Sequence, residues 1–336
     1  MLCGAGSPMP TNRDSAPVRL TIAVPCYNEE LVVDECAARM KECLVALIDA
    51  GKAARDSRIL FIDDGSTDNT WQLIESLCAR DGMFSALSLS RNFGHQAALL
   101  AGLHHAPGDA VVSIDADLQD DVGAIGKMLD HYRAGFDVVY GVRRERKRDT
   151  AFKRFTALAF YRLMNLLGTR TIHNHADFRL MSRQALDALR DFRETNLFLR
   201  GIVPLIGFPT TQVFYDRADR IAGQTKYPFR KMFALSIAAI TSFSTAPLRL
   251  ITATALGGFL VLIGITVWAL WIRLFTDKGL PGWASVILPL LFIGSLNMLA
   301  LGVLGEYVAR IFDEIKARPR YLVAETRNLS RKDSVS

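Results

Sequence analysis

The sequence predicts an α/β domain built on a mostly parallel, doubly wound sheet, followed by an interfacial helix and a two-helix transmembrane hairpin. Three observations predict it. Short β-rich apolar runs alternate with stretches of helical spacing through the first two thirds of the 336 residues, the pattern of strands joined by crossover helices. Two of these runs end in acidic clusters, Asp63-Asp64 and Asp115-Ala116-Asp117. In an open α/β sheet the carboxyl ends of the strands are where ligands bind. The last third holds two charge-free intervals, Arg249 to Arg273 and Lys278 to Glu306, each longer than the roughly 20 apolar residues that cross a bilayer core.

The elements follow in order. Residues 1–17 carry Gly, Pro, Ser and Asn without an apolar core, so they read as a disordered leader and not as a signal peptide. Leu20–Val24 is a strand that Pro25 closes, since proline cannot extend a central ladder. Asn28 then caps a helix running from about Glu29 to Ala50. Arg58–Ile62 is the second strand, turned by Gly65 into a helix over 69–80. Ala86–Leu89 is the third strand, followed by Ser90-Arg91-Asn92-Phe93-Gly94-His95-Gln96 and an Ala/Leu-rich helix to His105. Ala110–Val112 and Asp137–Gly141 supply the fourth and fifth strands. A further helix starts near Arg183.

The acidic strand ends carry the chemistry. Mg²⁺ and similar hard cations are held by one or two carboxylates plus substrate phosphates. An Asp-x-Asp turn lets Asp115 and Asp117 converge on one such ion. The plainer alternative is an acidic helix start complementing the macrodipole, and Asp120 and Asp121 suit that role. No Gly-x-Gly-x-x-Gly and no Walker-type loop follows any strand, so phosphates would be neutralised by a metal and by arginines. Arg143, directly after a strand, is the first of these, with Arg144, Arg146, Lys147, Arg148, Lys153 and Arg154 behind it. That cluster suits anionic lipid headgroups equally well. His95 reads as a positioning residue, His104 and His105 as helix-end imidazoles. His173, His175 and Asp177 lack the further ligands a zinc site needs. Five cysteines without Cys-x-x-Cys spacing point away from a disulfide framework.

Basic residues from Arg217 to Lys231 lead into an apolar helical stretch, Met232–Ile240, the composition of an interfacial helix. The two spans are joined by Asp277–Gly282. The tail after Glu306 is rich in Arg and Lys, and the turn is not. The positive-inside rule then puts both termini in the cytosol, with Trp268, Trp271 and Trp283 near the outer interface. The expected boundaries are 1–17, a catalytic domain over 18–225, an interfacial region over 226–246, spans over 247–275 and 283–308, and a basic cytosolic tail over 309–336.

Five motifs occur in register: Val24-Pro25-Cys26-Tyr27-Asn28-Glu29, Asp63-Asp64-Gly65-Ser66, Ser90-Arg91-Asn92-Phe93-Gly94, Asp115-Ala116-Asp117-Leu118-Gln119-Asp120 and Asp177-Phe178-Arg179-Leu180-Met181-Ser182-Arg183. Together they resemble family 2 glycosyltransferases of the Rossmann-like GT-A fold. Within these, the chain is similar to the polyprenyl-phosphate glycosyltransferases, which include dolichol-phosphate mannose synthases and, as the nearest match, bacterial bactoprenol glucosyltransferases. Thr241–Arg249 and Gly302–Tyr307 extend the likeness into the hairpin.

The resemblance implies that Pro25, Tyr27, Glu29 and Asp64 hold the uridine or its ribose. It implies that Asp115, Asp117 and Gln119 bind Mg²⁺ or Mn²⁺ against the donor diphosphate. Arg143, Arg146 and Arg154 would contact the diphosphate and the lipid phosphate, Arg179 and Lys226 the lipid phosphate, and Asp177 would line the sugar pocket. The implied reaction moves a sugar, glucose first, from a nucleotide sugar such as UDP-glucose to undecaprenyl phosphate. It would run at the cytosolic face of a bacterial inner membrane, for cell-envelope glycan modification. The bilayer is an expected partner and nucleic acid is not; a homo-oligomer is left open. The same motifs admit mannose, aminoarabinose, GlcNAc or galactose. A processive synthase would need more spans and a Gln-x-x-Arg-Trp motif, which is absent. A non-catalytic lipid-binding or translocating protein, or a regulator that binds nucleotide sugar without turnover, would not need every acid intact.

Overall fold

The computed structural model describes residues 13, 16–144, 175–192, 199–216 and 284–329, with scattered positions between 251 and 275. They fall into two compact units: a sheet domain, which the chain rejoins at Pro319, and a long apolar helix region.

The sheet domain contains β1 (Leu20–Cys26), α1 (Val33–Asp49), β2 (Arg58–Asp63), α2 (Thr70–Arg80), β3 (Phe84–Leu89), α3 (His95–His105), β4 (Ala110–Ser113), α4 (Ala124–Arg133) and β5 (Val138–Arg143). Then come β6 (His175–Ser182), α5 (Arg183–Arg190), the short α6 (Leu199–Ile202), β7 (Thr210–Tyr215) and, much later, β8 (Val323–Arg327). The strands form one sheet in the order β7-β5-β6-β4-β1-β2-β3-β8. β6 runs antiparallel to both its neighbours and β8 antiparallel to β3, while the remaining pairings are parallel. The expected mostly parallel sheet is therefore a mixed one. Strand direction is kept in all but β6 and β8.

Strands β1, β3 and β4 are buried along their whole length, as strands covered on both faces should be. Met40 and Leu44 of α1 and Ile125 and Met128 of α4 pack with Ile22, Val24, Phe61 and Val112 in one core cluster. α3 packs on β1 and β2. Gly102 makes that approach possible, because a Cβ there would lie 2.6 Å from Cδ1 of Ile62.

Two local expectations change. Pro25 lies inside β1, paired with Ile62, and does not end the strand. Ala23 faces β4, so Pro25 two residues on faces the same side, where β4 has already stopped at Ser113; no ladder bond is lost. Asn28 does not cap α1, which starts at Val33 with no side-chain cap. Its backbone is left-handed (φ 55°), and its side chain accepts from the Thr67 amide at 2.9 Å instead.

Arg13, within the expected leader, has a guanidinium that donates to the Tyr132 and Phe136 carbonyls, pairs with Asp137 and stacks 4.2 Å over the Tyr132 ring. The basic tail is partly a strand. The Leu322 carbonyl accepts from the Ser90 amide at 2.9 Å, and the Asn328 side chain donates to the Cys78 and Phe84 carbonyls at 2.8 and 2.9 Å. Asn328→Ala removes both bonds at a left-handed position (φ 55°). It should cost about 1–3 kcal/mol, read as a lowered melting temperature.

In the second unit, α7 (Ala284–Ile315) is 32 residues long, about 48 Å at 1.5 Å per residue, longer than the roughly 30 Å bilayer core. Among the described residues it is the one helix long and apolar enough to cross a membrane, over Phe292–Ala309. It continues past residue 308, where the second span was expected to end. Described positions in the first expected span, such as Ile251, Leu260, Trp268 and Phe275, are helical; the interfacial region 226–246 lies outside the described residues.

Candidate active site

Parallel pairing of β4, β1 and β2 puts the ends of all three on one rim. β6 enters the sheet at that rim because it runs the other way. Its register, Ser113 opposite Arg179 and Val142 opposite His175, brings Asp177 beside the loop that follows β4.

On one side of the rim the loops after β1 and β2 are laced together. Ser66 accepts from the Asn28 amide at 3.0 Å, and Thr70 from the Glu29 amide at 2.8 Å. Tyr27 is exposed beside them, Glu29 is half-buried and Pro25 is buried. Asp64 is buried, and its two oxygens accept from the Phe93 and Gly94 amides at 2.8 and 2.9 Å, which ties down the Ser90–Gly94 loop. Burial raises its carboxyl pKa and those two amides oppose the shift. Gly65 is needed at this crossing: it has φ +65°, and a Cβ would sit 2.4 Å from the Arg91 backbone.

In the centre are Asp115 and Asp117, both half-buried, and buried Gln119, whose amide donates to Asp117 at 3.2 Å. Leu118 between them has φ 55°, a conformation that a branched side chain rarely adopts and that surrounding structure must impose. Burial pushes the Asp115 carboxyl up to about 6; Asp120, Asp177 and Asp117 add to the shift and His95 opposes it. His95, at the first turn of α3, places Nε2 3.6 Å from Asp115 and 3.4 Å from Asp177. Burial disfavours its charge, yet the hydrogen bond that it donates to Asp177 and the Asp115 charge outweigh that and raise its pKa.

Asp177 is a hub. Arg179 donates to it at 2.7 Å, Arg200 with two nitrogens at 3.2 and 3.1 Å, and Gln96 at 3.1 Å. Burial opposes its ionisation, but His95, Arg179 and Arg200 hold it well below the usual carboxylate range. It orients its neighbours and does not carry protons near neutral pH. Arg179 is fully buried, donating to Asp177 and the Leu199 carbonyl. It therefore does not offer its guanidinium to a lipid phosphate. The half-exposed arginine of the pair is Arg200, which the sequence reading passed over. Its only signal was a charge in the apolar run Leu199-Arg200-Gly201-Ile202-Val203.

Arg143, at the end of β5, is partly exposed and held by buried Asp120 at 3.0 Å and by the Tyr215 hydroxyl at 3.1 Å. Arg146, Arg154 and Lys226 lie outside the described residues. The rim thus unites Asp115, Asp117, Gln119, Asp177 and Arg143 in one place, with Asp64, Glu29 and Tyr27 on the loops beside it.

A cation fits this donor set. No group of three or more His, Cys, Asp or Glu able to hold a metal occurs among the described residues. The two half-buried carboxylates, Asp115 and Asp117, are oxygen donors of the kind that phosphates and water complete around a hard cation. Burial, with the neighbouring carboxylates adding to it, disfavours the charged form of Asp115, and a divalent ion beside it would favour that form.

The family model for glycosyl transferase family 2 matches residues 21–190, which includes the acidic rim and ends with α5. The glycosyltransferase YkoT of Bacillus subtilis is 49% identical over 315 residues, 93% of this chain and 92% of its own length. The prophage bactoprenol glucosyl transferase homolog of Escherichia coli K12 is 38% identical over 307 residues, covering 91% of this chain and 98% of that one. A mannosyltransferase from Pyrobaculum calidifontis, solved with GDP-Man and Mn²⁺, superposes with a TM-score of 0.46 at 16% identity, over 93% of this chain and 89% of that one. The chain belongs to glycosyl transferase family 2.

Proposed function

We propose that this chain is an inverting, Mg²⁺- or Mn²⁺-dependent glycosyltransferase that moves a sugar from a nucleotide sugar to undecaprenyl phosphate. UDP-glucose is the first candidate donor. The reaction runs at the cytosolic face of the inner membrane, and its lipid-linked product serves cell-envelope glycan modification. The observation that carries this reading is the convergence of Asp115, Asp117, Gln119 and Arg143 on one rim. The chain's likeness over 91% of its length to a bactoprenol glucosyl transferase homolog supports the acceptor.

In this scheme Tyr27, Glu29, Asp64 and the backbone at Pro25 hold the uridine and ribose. Asp115, Asp117 and Gln119 hold the cation, which when bound neutralises the leaving diphosphate. Arg143 faces that diphosphate with a bidentate guanidinium. Arg200 takes the outward place first assigned to Arg179, while Arg146, Arg154 and Lys226 are assigned to the diphosphate and the lipid phosphate. The acceptor needs no base: its last ionisation lies near pH 6, so its oxygen already carries charge at neutral pH. In-line attack at the anomeric carbon inverts it. The protein's work is to align two anions that repel each other.

The membrane assignment rests on α7. Leu290, Phe292, Met298, Leu301, Val308 and Phe312 are exposed along it. Leaving each in water costs about 1.5–3 kcal/mol, which a bilayer removes. The hairpin, with both termini cytosolic, remains the proposed topology.

A cation requirement has a pH signature. The Asp115 carboxyl is raised in the folded protein, so its contribution to stability is present at low pH and lost as pH rises through about 6. A cation binds the ionised form. Mn²⁺ should therefore raise the melting temperature more near pH 7.5 than near pH 5; an equal shift at both would contradict the assignment.

The reaction itself is tested by mass spectrometry of the lipid product, after a panel of nucleotide sugars is offered with undecaprenyl phosphate. UDP-glucose should give a hexosyl phospholipid. A product from another sugar changes the donor and keeps the chemistry, and no lipid product from any donor overturns the reading.

A further inference from the structure

We propose that Asp120, acting with Tyr215, is a positioning residue that locks Arg143 to the loop carrying Asp115, Asp117 and Gln119. The proposed metal ligands and the phosphate-facing arginine then form one preorganised unit. The inference rests on the reading of Arg143 given above and adds the device that sets its geometry.

The plain role for Asp120, an acid complementing the start of α4, is taken by its neighbour. Exposed Asp121 accepts from the Gly123 amide at 2.9 Å, and its carbonyl accepts from the Ala124 amide. Asp120 turns the other way. Its side chain is 1% exposed, and a single oxygen, Oδ1, accepts from Arg143 Nη2 at 3.0 Å, from Arg143 Nε at 3.3 Å and from the Tyr215 hydroxyl. Its other oxygen is buried without a hydrogen-bond partner. A buried carboxylate with one oxygen orphaned is costly to keep. Its retention here goes with the geometry it imposes on Arg143.

The cluster is directional. Arg143 Nε donates to the Tyr215 oxygen at 3.1 Å, and the Tyr215 hydroxyl donates on to Asp120. Tyr215 is fixed on three sides. It is the cross-strand partner of Arg143 in the β5–β7 register, its carbonyl accepts from the Arg144 amide at 3.0 Å, and its ring meets Phe178 edge-on at 5.3 Å. Phe178 in turn sits against Gly141, where a Cβ would lie 2.6 Å from its ring. Residues from the loop after β4, from β5 and from β7 thus hold one guanidinium in a single pose, with part of it still exposed. A guanidinium fixed in advance loses less freedom when it meets an anion.

The experiment measures binding of UDP with Mn²⁺ by calorimetry to the full chain in lipid nanodiscs. The variants are Asp120→Asn, Tyr215→Phe, Arg143→Ala and the double variants in the Arg143→Ala background. Asp120→Asn should weaken binding about tenfold alone and by nothing further once Arg143 is gone, since it acts only through that side chain. Tyr215→Phe, which removes one hydroxyl from a packed ring, should show the same dependence with a smaller effect, and serves if Asp120→Asn fails to fold. Unchanged affinity in the single variants, or full additivity in the doubles, overturns the proposal. A wild-type protein that binds no UDP with Mn²⁺ overturns the donor reading itself, and this inference with it.

Discussion

Asp117→Asn is expected to lower turnover by about 10²–10³-fold or more, while the chain folds and inserts as before. The substitution removes one of two carboxylate charges facing the proposed cation. It keeps an oxygen that can accept from the Gln119 amide, so the turn at Leu118 survives. Initial rates in lipid across an Mn²⁺ titration check this. The variant should need more metal and still reach a lower maximum. Wild-type rates in the variant with metal chelated would count decisively against the assignment. The sheet domain does not depend on that charge, so melting curves of the cation-free proteins should nearly coincide.

The second large effect is structural as well as catalytic. Asp177→Ala is expected to destabilise the sheet domain by about 3–5 kcal/mol, because it strands the charge of a fully buried arginine. Arg179 has no exposure through which water can replace its partner. For a domain of this size that is a fall on the order of 10 °C in melting temperature. Replacing both residues, Asp177→Ala with Arg179→Met, should restore part of the loss, since the unpaired charge goes with the second change. Arg200→Ala should cost far less stability, because Arg200 is half-exposed. Thermal melts of the four proteins separate these outcomes. A double variant no more stable than Asp177→Ala alone would show that the buried charge is not the cause.

The contrast between these two carboxylates shows what the sequence made legible. Asp115 and Asp117 sit two residues apart at the end of an apolar run, so local pattern alone places them at a strand's carboxyl end. Asp63 and Asp64 are legible for the same reason. β6 was not. Its charges at Asp177 and Arg179 alternate with apolar residues and carry no strand signal, and they neutralise each other inside the sheet. Residues brought in by tertiary pairing left no local mark. Arg200 comes from a single turn of helix, Tyr215 meets Asp120 from 95 positions away, and Gln96 reaches Asp177 from 81. The tail gave a charge pattern and no strand, because β8 is a strand only through its pairing with β3. Asn28 suited a helix cap by residue type, but the Thr67 amide competes for its side chain and wins.

The account depends on a cation, held by Asp115 and Asp117, that presents an activated sugar to a phosphate anchored in the bilayer. The most direct measurement gives purified full-length protein in lipid both UDP-glucose and undecaprenyl phosphate. The lipid extract is followed by mass spectrometry as divalent ions are stripped and then restored. The predicted result is a hexosyl phospholipid that disappears on chelation and returns with Mn²⁺ or Mg²⁺. Equal yield with every divalent ion removed, or transfer only to water-soluble alcohols, would contradict it.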